Sequence, residues 1–164
     1  MSALLDDELE RARQVALRFL TSRDRSVFEM RQKLGQKRYS EDVIERVIAN
    51  LQESRLLDDN AFARRWVETR LQSRPAGARK VEMELRGKGI DGTLVEQVLE
   101  EFGQQLGSEA TAVDFLKGRA KHYGGLDERR AKRRMYGLLA RRGFDADTAA
   151  RAVDEVWQEM ESKE

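Results

Sequence analysis

The chain uses one pattern three times. Over residues 77–102 the apolar side chains fall at Val81, Leu85, Ile90, Leu94, Val95, Val98, Leu99 and Phe102. The spacing up to Leu85 predicts a short helix, and the spacing from Leu94 predicts a second. Gly87 and Gly89 stop the first, because glycine tolerates a left-handed backbone. Asp91 caps the second by accepting a bond from an orphan N–H. Shifted 51 residues toward the N-terminus, Val81 to Leu99 become Met30, Leu34, Tyr39, Ser40, Val43, Ile44, Val47 and Ile48. Shifted 54 residues the other way they become Met135, Leu139, Phe144, Asp145, Thr148, Ala149, Ala152 and Val153. Apolar character is kept nearly throughout, and the last helix has a good N-cap in each copy: Ser40, Asp91 and Asp145.

A period near 50 residues is the mark of a stacked array. Each copy adds a preceding helix, so the unit is three helices. A unit of that size is close to the lower limit for folding alone, and stacking would bury its remaining apolar stripe. The expected fold is all-α, three tandem three-helix repeats in an elongated, curved array. The expected boundaries are 1–59, 60–107 and 108–164.

Helices are predicted over Asp6–Leu20, from Ser26 to about Lys37, from Ser40 to about Glu53, and from Asn60 to Leu71. Ser26-Val-Phe-Glu29 reads as a capping box. Asp58-Asp59 can be read as a metal or acid/base pair. It can also be read as an N-cap with acids at the positive end of a helix dipole; the repeated caps favour this reading. Trp66 corresponds to Phe19 and Phe115, and a core role is expected over base stacking. Gly103–Glu109 is the expected hinge. The third copy begins near Ala110, its first connection (Gly118–Gly125) is longer and basic, and its second helix starts at about Asp127.

Enzyme signals are nearly absent. The one histidine, His122, lies in a basic loop with no acidic cluster beside it. No phosphate loop or nucleophile elbow occurs; Gly87-Lys-Gly-Ile follows a helix and reads as its C-cap. No catalytic, cofactor or metal residue is assigned. There is no run of about 18 apolar residues, so no membrane helix is expected. The acidic N-terminus does not read as a secretory signal. The lack of cysteine fits a reducing cytoplasm, the expected location.

Net charge is only +1, but it is unevenly placed. Residues 117–142 hold ten basic side chains against Asp127 and Glu128, whereas residues 143–164 hold seven acids against Arg151 and Lys163. On a helix from Asp127, the residues Ala131, Met135, Leu138 and Leu139 share one face. Arg129, Arg130, Arg133, Arg134 and Arg141 lie opposite. Such a face can be merely solvated, yet arginine forks suit phosphates and carboxylates. A polyanion or an acidic protein surface is a plausible partner.

Several linked motifs resemble the RecX family, bacterial regulators of the RecA recombinase. Arg23-Asp-Arg-Ser26-Val-Phe-Glu29-Met30-Arg-Gln-Lys33-Leu34 is similar to the family's R-x-R-S-x-x-E-L-x-x-K-L, with Met30 in a leucine place. Leu57-Asp58-Asp59-Asn-Ala-Phe62-Ala63 is similar to its L-D-D-x-x-F-A. Gly77 through Gly89-Ile90 and Arg141-Arg142-Gly143-Phe144 resemble its second and third repeats. The likeness covers about Ala16 to Gln158.

The resemblance implies binding in the groove of the RecA–single-stranded DNA filament. It implies limited filament growth, promoted disassembly, and inhibited recombinase, ATPase and coprotease activities, without catalysis by this chain. The motifs match mainly caps and core, so they transfer no binding residue. Charge clustering instead selects Arg23, Arg25, Arg74, Arg79, Lys117, Arg119, Lys121, Arg129, Arg130, Arg133, Arg134 and Arg141 as candidate contacts to the filament or DNA. Direct contact with single-stranded DNA, no membrane partner and a monomer are expected. The competing reading is a helix-turn-helix-like module that binds DNA without RecA. The near-neutral charge and the lack of a dimerisation element count against it.

Overall fold

The computed structural model describes residues 2–163, with side chains over 4–163. Among these residues there are nine α-helices, one 3₁₀ turn and no strand. The first repeat is α1 (Ser2–Ser22), α2 (Val27–Gln36) and α3 (Glu41–Glu53). The second is α4 (Asp59–Gln72), α5 (Ala78–Gly87) and α6 (Gly92–Phe102). The third is α7 (Glu109–Lys117), α8 (Glu128–Arg141) and α9 (Ala146–Glu161), with the 3₁₀ turn Ala120–His122 before α8. Helix α1 starts earlier than the sequence pattern suggests, since no glycine or proline precedes Asp6 to break it.

The chain divides into two compact units. One holds the residues up to Arg65 together with Leu85–Leu94, and the other holds Trp66–Glu84 together with the residues from Val95 onward. The division runs through all three helices of the middle repeat. In the first unit α1, α2 and α3 pack on one another around Ala12, Ala16, Met30, Leu34, Val47 and Leu51, all essentially inaccessible. In the second unit α9 packs against α7 and α8 around Leu116, Ala131, Met135, Leu139, Ala149 and Ala152.

The repeat register is visible in the burial. Leu34, Leu85 and Leu139 are each 0% exposed. It is visible in the backbone as well. Arg38, Gly89 and Gly143, which the same offsets align, all have a positive φ, of 65°, 73° and 81°. The following residue in each copy donates its N–H back to the aligned leucine carbonyl: Tyr39 to Leu34, Ile90 to Leu85, Phe144 to Leu139. This is the six-to-one bond of a Schellman stop. The left-handed residue is Gly89, not Gly87, which is still helical.

The N-caps follow the same rule. Ser26 and Glu29 form the reciprocal capping box, and Ser40, Asp91, Asp127 and Asp145 each accept a backbone N–H of the helix they precede. The Asp58-Asp59 pair is divided between two helices. Asp58 accepts the Ala61 N–H and caps α4, while Asp59 accepts the Val27 N–H at 2.8 Å and so caps α2. Both carboxylates are capping groups.

The start of each second helix meets the stop of the next one. In the first unit the Ser26 hydroxyl donates to the Lys88 carbonyl at 2.6 Å. In the second unit the Gly77 N–H donates to the Arg142 carbonyl at 2.7 Å. Ser26 and Gly77 are aligned copies, as are Lys88 and Arg142. Both contacts require a residue without a side chain. A β-carbon on Gly89 would lie 2.3 Å from that of Phe28, and one on Gly77 would lie 2.0 Å from the Gly143 carbonyl oxygen.

Candidate anion-binding surface

Helix α8 carries a dense run of positive charge within the second unit. The buried stripe Ala131, Met135 and Leu139 fixes its rotation on the core, which leaves Arg129, Arg130, Arg133, Arg134 and Arg141 exposed. Leu138 is only partly buried, at the edge of the core rather than in it. Two grooves meet there. One, of about 700 Å³, runs along α8 and is lined by His122, Leu126, Arg130, Arg133, Arg134 and Arg141. The other, of about 680 Å³, is lined by Arg74, Lys80, Phe115, Arg119, Arg141 and Arg142, with Arg70 and Glu84 at its side. Leu138 and Arg141 belong to both.

The second groove has one acid, and that acid is engaged. Glu84 accepts from Arg70 Nε at 2.7 Å and Nη2 at 2.9 Å, and from the Trp66 indole N–H at 2.9 Å. Trp66 is therefore half-buried and polar at its tip rather than a core anchor; the indole N–H needs an acceptor, and α5 supplies one. Phe115 is 6% exposed, and the guanidinium carbons of Arg119 and Arg142 stand 4.0 Å and 5.0 Å from its ring centroid. Tyr123, also buried, has its phenol pKa raised by burial, and the charges of Arg119, Arg141 and Arg134 oppose that rise.

The twelve residues selected by charge are not alike. Arg74, Arg119, Arg130, Arg133, Arg134 and Arg141 are brought together along the two grooves. Arg130 also lies 3.3 Å from Asp127, on the open surface. Arg129 and Lys121 are exposed outside the groove linings. Lys117 is paired with Glu159 at 2.6 Å, which raises its pKa. Arg79 lines a different depression, with Leu106 and Phe144. Arg23 and Arg25 belong to the other unit. Arg23 forks Glu29 with two 3.0 Å bonds, and Arg25 is partly buried over Phe19, with burial lowering its pKa. Arg142 and Lys80 were missed. The repeat offsets that align Arg142 with Lys88 hold the signal for it.

No group of three or more potential metal ligands occurs among the described residues. No described helix is long and apolar enough to cross a membrane.

Among the described residues the chain is all-helical, built of three-helix repeats, with arginines lining two adjoining grooves of the second unit. Family models for the first, second and third three-helix domains of RecX match residues 12–51, 58–99 and 108–153. The chain belongs to the RecX family. It is 32% identical over 153 residues to the regulatory protein RecX of Streptomyces coelicolor, covering 93% of this chain and 81% of that one. It is 36% identical over 171 residues to the regulatory protein RecX of Corynebacterium efficiens, covering 97% and 81%. The crystal structure of RecX from Lactobacillus salivarius shares the fold, with a TM-score of 0.75 at 24% identity over 92% of this chain and 97% of that one.

Proposed function

We propose that this chain regulates the RecA recombinase by binding the RecA–single-stranded DNA filament. Bound there, it limits filament growth, promotes disassembly, and inhibits the recombinase, ATPase and coprotease activities. The observation that carries this reading is the pair of arginine-lined grooves meeting at Leu138 and Arg141, in a chain whose relatives are regulatory proteins. A filament presents phosphates and acidic side chains together. Arginine binds both, through two parallel N–H bonds to paired oxygens. The chain acts by occupancy and not by catalysis, inside the cytoplasm and as a monomer.

The test is RecA ATPase activity on single-stranded DNA with increasing amounts of this chain, at several salt concentrations. Inhibition that weakens as salt rises is expected, because ion pairs to a polyanion release counterions. An undiminished ATPase, with the chain bound to DNA lacking RecA, would favour the direct DNA-binding module instead.

A further inference from the structure

In each repeat an arginine follows, by one helical turn, the aromatic residue of the first helix. Phe19, Trp66 and Phe115 are followed by Arg23, Arg70 and Arg119. The first two arginines each receive a carboxylate from the second helix of their own repeat. Arg23 takes Glu29 from α2, and Arg70 takes Glu84 from α5. The two glutamates stand one turn apart. The first repeat has Glu29 with Lys33, and the second has Lys80 with Glu84 in the aligned places. In the third repeat these two places hold Arg134 and Leu138. Neither can accept a bond. Arg119 reaches only the Phe115 carbonyl, at 3.5 Å. Arg142 is brought to the same ring, so two guanidiniums face one groove with no carboxylate partner among the described residues.

We propose that Arg119 and Arg142 form a docking point for an acidic side chain of a protein partner, which takes the place that Glu29 and Glu84 fill internally in the other two repeats. This deepens the proposed function, and rests on it only for the identity of the partner. The internal copies favour a carboxylate over a phosphate. In both, a flat two-oxygen group lies in the fork of one arginine and takes a further donor from its side, Lys88 on Glu29 and Trp66 on Glu84. Fork-to-fork pairing alone suits phosphate as well, but the group that fills this place in both internal copies is a carboxylate. In the third repeat Phe115 replaces Trp66 and has no N–H to give, and Arg142, its guanidinium carbon 5.0 Å from that ring, supplies the second donor. Leu138, in the place aligned with Glu84, lines the groove without a charge to compete for the two arginines.

The test uses the full chain and two probes, a hexaglutamate peptide and a twelve-residue thymidine oligonucleotide, followed through the arginine Nε signals in nuclear magnetic resonance. Hexaglutamate should move the Arg119 and Arg142 signals. Arg119→Ala with Arg142→Ala should weaken its binding at least tenfold, and change oligonucleotide binding by less than twofold. Leu138→Glu should restore the internal arrangement, pairing with Arg119 and blocking the peptide in a chain whose two arginines are intact. If the oligonucleotide moves these two signals and hexaglutamate does not, the docking point is a phosphate site and the proposal fails. If neither probe moves them, it also fails. Inhibition of RecA is measured separately, so loss of peptide binding and loss of the regulatory reading can be told apart.

Discussion

The two places where a second helix meets the next repeat's helix stop are built from the same offsets and closed by different chemistry. Around Ser26 and Lys88 the closure is ionic. Glu29 is nearly buried and accepts from Arg23, from Lys88 at 2.7 Å and from the Ser26 N–H. Burial alone would raise its pKa, but the bonds from Arg23, Lys88 and Ser26 outweigh burial and hold it at about 2. Around Gly77 and Arg142 the closure is backbone on backbone, and the side chain aligned with Glu29 is Lys80. The first joint thus neutralises its cations inside the fold. The second is closed backbone on backbone, and Arg119 and Arg142 beside it have no carboxylate partner among the described residues. One repeated geometry is closed by an ion-pair cluster at one joint and by backbone contact at the other.

Breaking the backbone joint should have the largest effect. Gly77→Ala places a β-carbon within 2.0 Å of the Gly143 carbonyl, and both sides are backbone. A loss of about 3 kcal/mol or more is expected in urea unfolding. A change below about 1 kcal/mol would show that the close approach is not needed.

The ionic joint should respond to acid. The Glu29 pKa is lowered from 4.5 unfolded to about 2 folded, so its stabilisation is present above about pH 4.5. It is lost as pH falls toward 2, and amounts to at most about 3 kcal/mol. Asp59 works the other way. Burial raises its pKa, so protonation relieves a cost as pH falls. Glu29→Gln should therefore lower stability at pH 7 and flatten the acid limb of the unfolding midpoint. An acid limb identical to that of the wild type would assign it elsewhere.

The smallest expected effect concerns the first repeat's own helix stop. Gly89 and Gly143 are left-handed where another helix start is pressed on them, whereas Arg38 is left-handed with an exposed side chain. A non-glycine residue there is strained but not in collision. Arg38→Gly should stabilise the protein by about 0.5–1 kcal/mol, the strain relieved exceeding the added freedom of the unfolded chain. A thermal midpoint that falls would contradict this.

The helices, their caps and the aligned leucines were legible in the sequence because burial and capping recur at fixed offsets. Leu34, Leu85 and Leu139 had to share one environment once the period was found. The role of Asp59 was not legible, since its partner Val27 lies 32 residues away and nothing in the spacing joins them. The arginines of α8 were legible as a face. Which other cations join them was not, because Arg142 and Lys80 enter the groove only through tertiary packing of α5 against the α8 stop. Charge clustering also could not tell Arg23, already forked on Glu29, from Arg119, which has no carboxylate partner among the described residues.

The most direct test of the account is the double variant Arg130→Glu with Arg134→Glu, assayed for RecA ATPase inhibition beside its thermal unfolding. Both side chains are exposed on α8, so the unfolding midpoint should move by no more than about 0.5 kcal/mol equivalent. Reversing two charges turns attraction toward phosphates and carboxylates into repulsion. Inhibition should then need at least tenfold more protein, with a shallower dependence on salt. Full inhibition by a double variant of unchanged stability would contradict the account.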